Sequence, residues 1–457
     1  MTVKNQKYSF NISILLTICI LVICTISLVA KDLTYFIFNL ILIFFILISL
    51  IFTKEYHNHF LFIFFFLIYS LSSLFVFYSQ FHQFQMPANY ADELGFYNVS
   101  FFFILEERPD WIAHYKLKDI DRIDWYLYFF LLSRLGKLFS LINDHSLLAL
   151  KQTSVIFGAL SVVYVNKLYF FFLKDRKKSI FLSTVFGLLP YTILNSSVLM
   201  RDMIIVFLTI FIILQVLYFN HLSNYYFAKL IIGLIALFSL RTENGLFMSF
   251  LSLSLILMYI LRTKISSNQK VVAYILIFIL LFLSSFYIYE NIITEILITS
   301  EKYLLKTSRS ASAESFGILL LSLPFPINIL SRFFYSQLNP FPMWGELKNN
   351  FALVIEIFGG LIWFPIFILS FITILIKKCR KKMSFELLAL YVGALIFILF
   401  LSFLSGDPRR MMSVYPIVLL VGFYSYENFS KLSKKLYFMS FIFFILFLHI
   451  FYIVLKY

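Results

Sequence analysis

The sequence predicts an all-α fold, a polytopic transmembrane helical bundle of about 11–13 spans, and three observations carry that prediction. Of the 457 residues 61% are hydrophobic and only 13% charged, with a mean hydropathy of +0.91. A soluble domain carries about 25% charged residues, so this chain cannot clothe a water-facing surface. The apolar residues gather in continuous runs near 20 residues, the length that crosses a bilayer core. Basic clusters, KDRKK at 174–178 and KKCRKK at 377–382, fall between those runs, as the cytoplasmic loops of membrane proteins do. Together these exclude a soluble enzyme, a disordered chain and a secreted disulfide scaffold. The runs do not alternate, which excludes the strands of an outer-membrane barrel.

The net charge of +15 does not point to nucleic acid, because no water-facing domain is present to carry a groove or a stacking platform. The three cysteines form no framework: Cys19 and Cys24 lie within the first apolar run and Cys379 in a basic loop. That first run, 10–30, is too long for the apolar core of a cleaved signal and reads as a retained anchor.

In chain order the expected spans are 10–30, 33–52, 60–80, 147–173, 179–195, 203–219, 229–240, 246–261, 271–289, 351–376, 384–405, 411–425 and 437–455, within a single integral membrane domain, 1–457. With the N-terminus in the cytoplasm, Lys54, the two basic clusters, the 262–270 loop and Lys431–Lys435 all fall inside. Most acids then fall outside.

Three segments interrupt the spans. An external loop, 80–146, is dense in charge and includes WYLYFFLLSRLGKLFSLI at 125–142, an amphipathic helix suited to the interface. Segment 290–350 is rich in proline and aromatic residues and reads as external or re-entrant. The third is the GDPRR turn at 406–410. No internal repeat is evident, so an inverted-repeat transporter gains no support.

Charged residues in a membrane protein tend to mark function, and this threading brings four constellations to the external face. Asp92 and Glu93, in ADELGFY, form an acidic pair able to act as a general base or as hard oxygen ligands for a divalent cation, or simply to cap the helix that follows. Arg201 and Asp202 occupy a tight turn. There Asp202 suits the start of the next helix, and Arg201 either reaches to the interface or holds a phosphate with its forked donors. Arg241 and Glu243, in RTENG, either pair with each other or flank a polar substrate, and Gly245 suits a turn. Asp407, Arg409 and Arg410 form the fourth, and two adjacent outward arginines depart from the positive-inside trend.

Carboxylates for a base, arginines for an anion and an amphipathic loop at the lipid boundary suit an amphiphilic substrate, a lipid-borne sugar phosphate such as a polyprenyl-linked saccharide. No P-loop, HExxH or GxSxG is present to support ATP-driven or hydrolytic chemistry.

On ADELGFY (91–97), the amphipathic loop helix, the span LLALKQTSVIFGALSVVYVNKLYFFF, LRTENG (240–245) and GDPRRMMSVYPIVLL, the chain resembles the GT-C class of polytopic glycosyltransferases over roughly 90–425. The resemblance implies sugar transfer from a polyprenyl-phosphate donor on the outer face. Asp92 would be the catalytic base or metal-site acid, with Glu93 beside it, and a Mg or Mn ion would be the cofactor. Arg201, Arg241, Arg409 and Arg410 would bind the phosphate, supported by Asp202, Glu243 and Asp407. The chain also looks like Wzy-type O-antigen and capsule polymerases, which are similarly rich in Phe, Ile and Leu and depend on arginines in external loops. A transporter or flippase for the same saccharides is a third reading, disfavoured because nearly all charges sit at span ends. The Phe/Ile/Lys/Asn/Tyr bias suits an AT-rich bacterial gene, and hence a bacterial inner membrane.

Overall fold

The computed structural model describes residues 3–53, 55–81, 93–97, 126–142, 146–218, 224–262, 324, 327–340, 351–404 and 407–456. Among these, 91% are helical and none lies in a strand, so the fold is all-α. Among the described residues seven helices are long and apolar enough to cross a bilayer: Ile12–Ala30, Leu33–Leu50, Tyr56–Ser79, Leu147–Leu173, Ala352–Leu375, Phe385–Ser402 and Lys431–Phe451. The chain is a membrane-integral helical protein. The expected span at 271–289 and Asp92 lie outside the described residues, as does much of 80–124 and of 290–350.

The chain divides into two compact units. The first comprises residues up to Leu214 with Lys229–Leu246 and Leu347–Ile355. It opens with α1 (Val3–Ala30), α2 (Leu33–Thr53) and α3 (Tyr56–Phe81), then a short helix α4 at 93–97 and α5 (Tyr126–Ser140). Next come α6 (Leu147–Leu173), α7 (Arg176–Gly187), α8 (Pro190–Ser197) and α9 (Asp202–Leu217), then α10 (Asn224–Leu240) and the start of α11 (Thr242–Arg262).

Helix α6 is the hub of this unit, packed on α2, α3, α5, α7 and α8. Its start is well specified. The Ser146 side chain accepts the Ala149 N–H at 2.9 Å and donates to the Asp32 carboxylate, so an anion stands at the positive helix end. Its far end is held by Lys167, whose Nζ lies 3.3 Å from Glu55. Lys174 ends it in a left-handed conformation.

The stretch expected as one span at 179–195 is two helices, α7 and α8, bent by 61°. Pro190 opens α8; its ring fixes a helix-starting φ and supplies no N–H to continue α7. Helix α5 matches its expected amphipathic pattern. Tyr128, Phe129, Leu132 and Phe139 are buried, while Arg134 and Lys137 are exposed.

The second unit comprises Gln215–Ala228, Phe247–Glu346 and Glu356–Tyr457. Beyond the rest of α11 it contains α12 (Ile327–Ser336), most of α13 (Phe351–Leu375), α14 (Lys377–Arg380) and α15 (Phe385–Leu404). Helices α16 (Pro408–Met411), α17 (Tyr415–Asn428) and α18 (Lys431–Lys456) complete it. Its centre is a buried polar junction. Trp363 Nε1 donates to Gln337 Oε1 at 2.9 Å, and Gln337 Nε2 donates to Ser336 Oγ at 3.0 Å and reaches Met411 Sδ at 2.9 Å. The indole of Trp363 stacks on Tyr415 with ring centres 3.7 Å apart. The described end of the proline- and aromatic-rich segment, at Ser336 and Gln337, is thus anchored by polar atoms that hydrocarbon would leave unsatisfied.

Candidate functional site

Three of the four charged constellations fall in the first unit, and the fold knots them together. Glu93 opens α4 and is fully buried. Its Oε1 accepts the backbone N–H of Leu199 at 2.8 Å and stands 3.2 Å from Lys151 Nζ, both side chains being wholly inaccessible. Its Oε2 is buried and has no hydrogen-bond partner among the described residues. Glu93 is therefore committed to an ion pair and to the turn that leads into Arg201.

That turn, Val198–Arg201, is pinned from α6 as well. Ser154 Oγ lies 2.9 Å from the Met200 carbonyl, to which it donates, and 3.2 Å from the Met200 N–H. Arg201 is buried rather than extended to the interface, and its Nη1 donates to the Leu240 carbonyl, the last of α10. A cation on a helix C-terminal carbonyl meets the negative end of the dipole. The next residue, Asp202, begins α9 and takes the Arg241 guanidinium, Nη2 to Oδ1, at 2.8 Å. Arg241 thus pairs with Asp202, whereas spacing alone also allowed Glu243 as its partner. Glu243 lies in the first turn of α11, where its charge suits the dipole.

Gly245 lies inside α11 and forms no turn of its own. A Cβ there would stand 2.6 Å from Phe238 Cγ and 2.9 Å from the Phe238 Cα, so its role is the close approach of α10 and α11.

Two further participants carry little or no signal in the sequence. Lys151 sits inside a run read as a plain span, and its signal was that a charge there needs a partner. Tyr128 is buried on the inward face of α5, toward Thr153 and Ser154 of α6. Burial pushes its phenol above 10; hydrogen bonding with Thr153 and Ser154 works against that, the Asp202 and Glu93 carboxylates work with it, and the net direction is upward. No sequence pattern singles out such a tyrosine.

The fourth constellation belongs to the second unit. Asp407 caps α16 by accepting the Arg409 N–H at 2.9 Å, and its Oδ2 receives Arg409 Nε and Nη2, each at 3.0 Å. Burial alone would raise its pKa. Arg409 and Arg410 outweigh that and hold it below the ordinary aspartate value of 3.8. Arg409 and Arg410 are both half-buried.

Asp92, the acid expected to hold a divalent cation, lies outside the described residues, and at its neighbour Glu93 the fit is poor. An ammonium 3.2 Å away already neutralises the carboxylate and would repel a second positive charge. Among the described residues no three His, Cys, Asp or Glu side chains come together as a metal-binding group. Compared with known proteins, the chain matches no family model, no curated protein sequence and no solved structure.

Proposed function

We propose that this protein is a bacterial inner-membrane glycosyltransferase that takes a sugar from a polyprenyl-phosphate carrier on the external face, in cell-surface glycan assembly. The observation that carries this reading is the buried knot of Glu93, Lys151, Arg201, Asp202 and Arg241. It joins an acidic loop to two arginine-bearing turns in a membrane-integral chain. Such a chain brings a base and anion-binding groups to a substrate with a lipid tail.

In the reaction the acceptor O–H bond breaks as its oxygen attacks the sugar's anomeric carbon, and the proton passes to Asp92. The bond from that carbon to the phosphate oxygen breaks, and the electron pair leaves with the phosphate. Arginine donors stabilise the charge that develops there, with Arg201 and Arg241 as the candidates in the first unit. The preference of the basic clusters for one side supports a cytoplasmic N-terminus.

The test is transfer by purified protein in lipid nanodiscs. It would be offered either a polyprenyl-monophosphate sugar or a preassembled polyprenyl-diphosphate repeat unit, with Asp92→Asn alongside. Single-sugar transfer lost in the variant supports the reading. Laddered polymer from the repeat unit replaces it with a polymerase, and no covalent product from any donor overturns it in favour of transport.

A further inference from the structure

Lys151 is an improbable residue where it stands. It lies just past the first turn of a membrane-length helix, near the end whose dipole favours anions, and it is fully buried. Taking an ammonium out of water costs several kcal/mol, and the attraction within a buried ion pair seldom returns more than that cost. A residue this unfavourable for stability calls for a reason of another kind.

The geometry supplies one. The Glu93 oxygen that faces Lys151 is also the oxygen that holds the Leu199 N–H. Leu199 and Arg201 are two residues apart, so their Cα atoms are separated by at most about 7 Å. One charged atom thereby sets the register of the acidic loop helix α4 against the turn that carries Arg201 and Asp202. The hydrogen bonds of that turn to Leu240 and Arg241 extend the same register to the start of α11.

We propose that Lys151 is a positioning residue. By holding the Glu93 carboxylate it locks α4 to the arginine-bearing turn, so that base and phosphate-binding groups meet one substrate together. This rests on the transferase reading for its kinetic consequence, but the lock itself does not. Glu93 in this view acts through position, and Asp92, its neighbour in the chain, is left to do chemistry.

The experiment has an arm that needs no substrate. Amide hydrogen exchange over 196–201 would be followed in nanodiscs for wild type and Lys151→Met. A second variant, Glu93→Leu with Lys151→Met, removes both charges and so leaves no orphan buried ion to prevent folding. The proposal expects exchange in that segment to rise roughly ten- to a hundredfold in both, the scale of a charge-assisted hydrogen bond. Protection in α3 and the rest of α6 should be retained. Exchanging the partners, Glu93→Lys with Lys151→Glu, leaves no carboxylate at 93 to accept the Leu199 N–H, so exchange there should stay raised. Unchanged protection of 196–201 in Lys151→Met overturns the lock. So does a uniform rise across the unit in the doubly neutral variant, because the pair would then serve general stability.

The kinetic arm compares the doubly neutral variant with wild type. A misplaced base should lower kcat by about a hundredfold with KM little changed. A rise in KM at unchanged kcat would overturn the positioning role, since the pair would then serve substrate binding alone. If wild type transfers no sugar at all, the function reading fails while the exchange result still decides the lock.

Discussion

Asp202 and Arg241, 39 residues apart, meet as a nearly buried ion pair, Nη2 to Oδ1 at 2.8 Å, with side chains 3% and 9% exposed. Neither residue's neighbours in the sequence announce the other. Asp202 begins one apolar helix and Arg241 sits between two more, and the pair joins the ends of α9, α10 and α11.

Removing one partner leaves a buried charge without its counter-ion. Asp202→Ala should destabilise the protein by about 3–5 kcal/mol, and Arg241→Ala similarly. The double variant should cost less than the two singles together, and a thermal-unfolding cycle in detergent would measure that coupling. Strict additivity would mean that the pair contributes no coupling.

Gly158 sits where α6 crosses α8. A Cβ there would lie 2.3 Å from Ser196 Oγ and 2.8 Å from Ser196 Cβ. Gly158→Ala should therefore lower stability by about 1–3 kcal/mol through overpacking. Ser196→Gly in the same chain should restore most of the loss, because it removes both offending atoms. Melting temperatures of the three variants check this.

The α16 turn should loosen in acid. The Asp407 pKa is lower in the fold than in the unfolded chain, so its stabilisation is complete above the ordinary value of 3.8. It is lost as pH falls through the lower folded value. Hydrogen exchange over 407–414 should quicken in that window, whereas Asp407→Asn should flatten the dependence. The loss of the cap in Asp407→Ala should cost about 0.5–2 kcal/mol at neutral pH.

Gln337 holds the Trp363 indole N–H, and Gln337→Leu should leave that donor buried without its acceptor. The expected loss is about 1–3 kcal/mol, read by thermal unfolding. Trp363→Phe with Gln337→Leu should recover part of it, since both polar partners are then gone.

Composition and run length determined the class of this protein: a chain so poor in charge, with apolar runs of membrane length, has no fold open to it except helices that satisfy their own backbone in lipid. Amphipathicity also marked α5, because a helix repeats its buried face at a spacing visible along the chain. Glu93, Arg201, Asp202, Arg241 and Glu243 also stood out along the chain as charges needing a reason. What those charges touch was decided only by tertiary structure. Ion pairs form between residues such as Glu93 and Lys151, or Asp202 and Arg241, brought together by helix crossings, and nothing local in the sequence encodes a crossing. Gly245 shows the same limit: a glycine beside a turn motif reads as a turn, yet it serves the contact of two helices with Phe238 between them. Lys151 shows it most sharply. From its position in an apolar run only a need for a partner could be read, and the partner came from a loop far back in the chain.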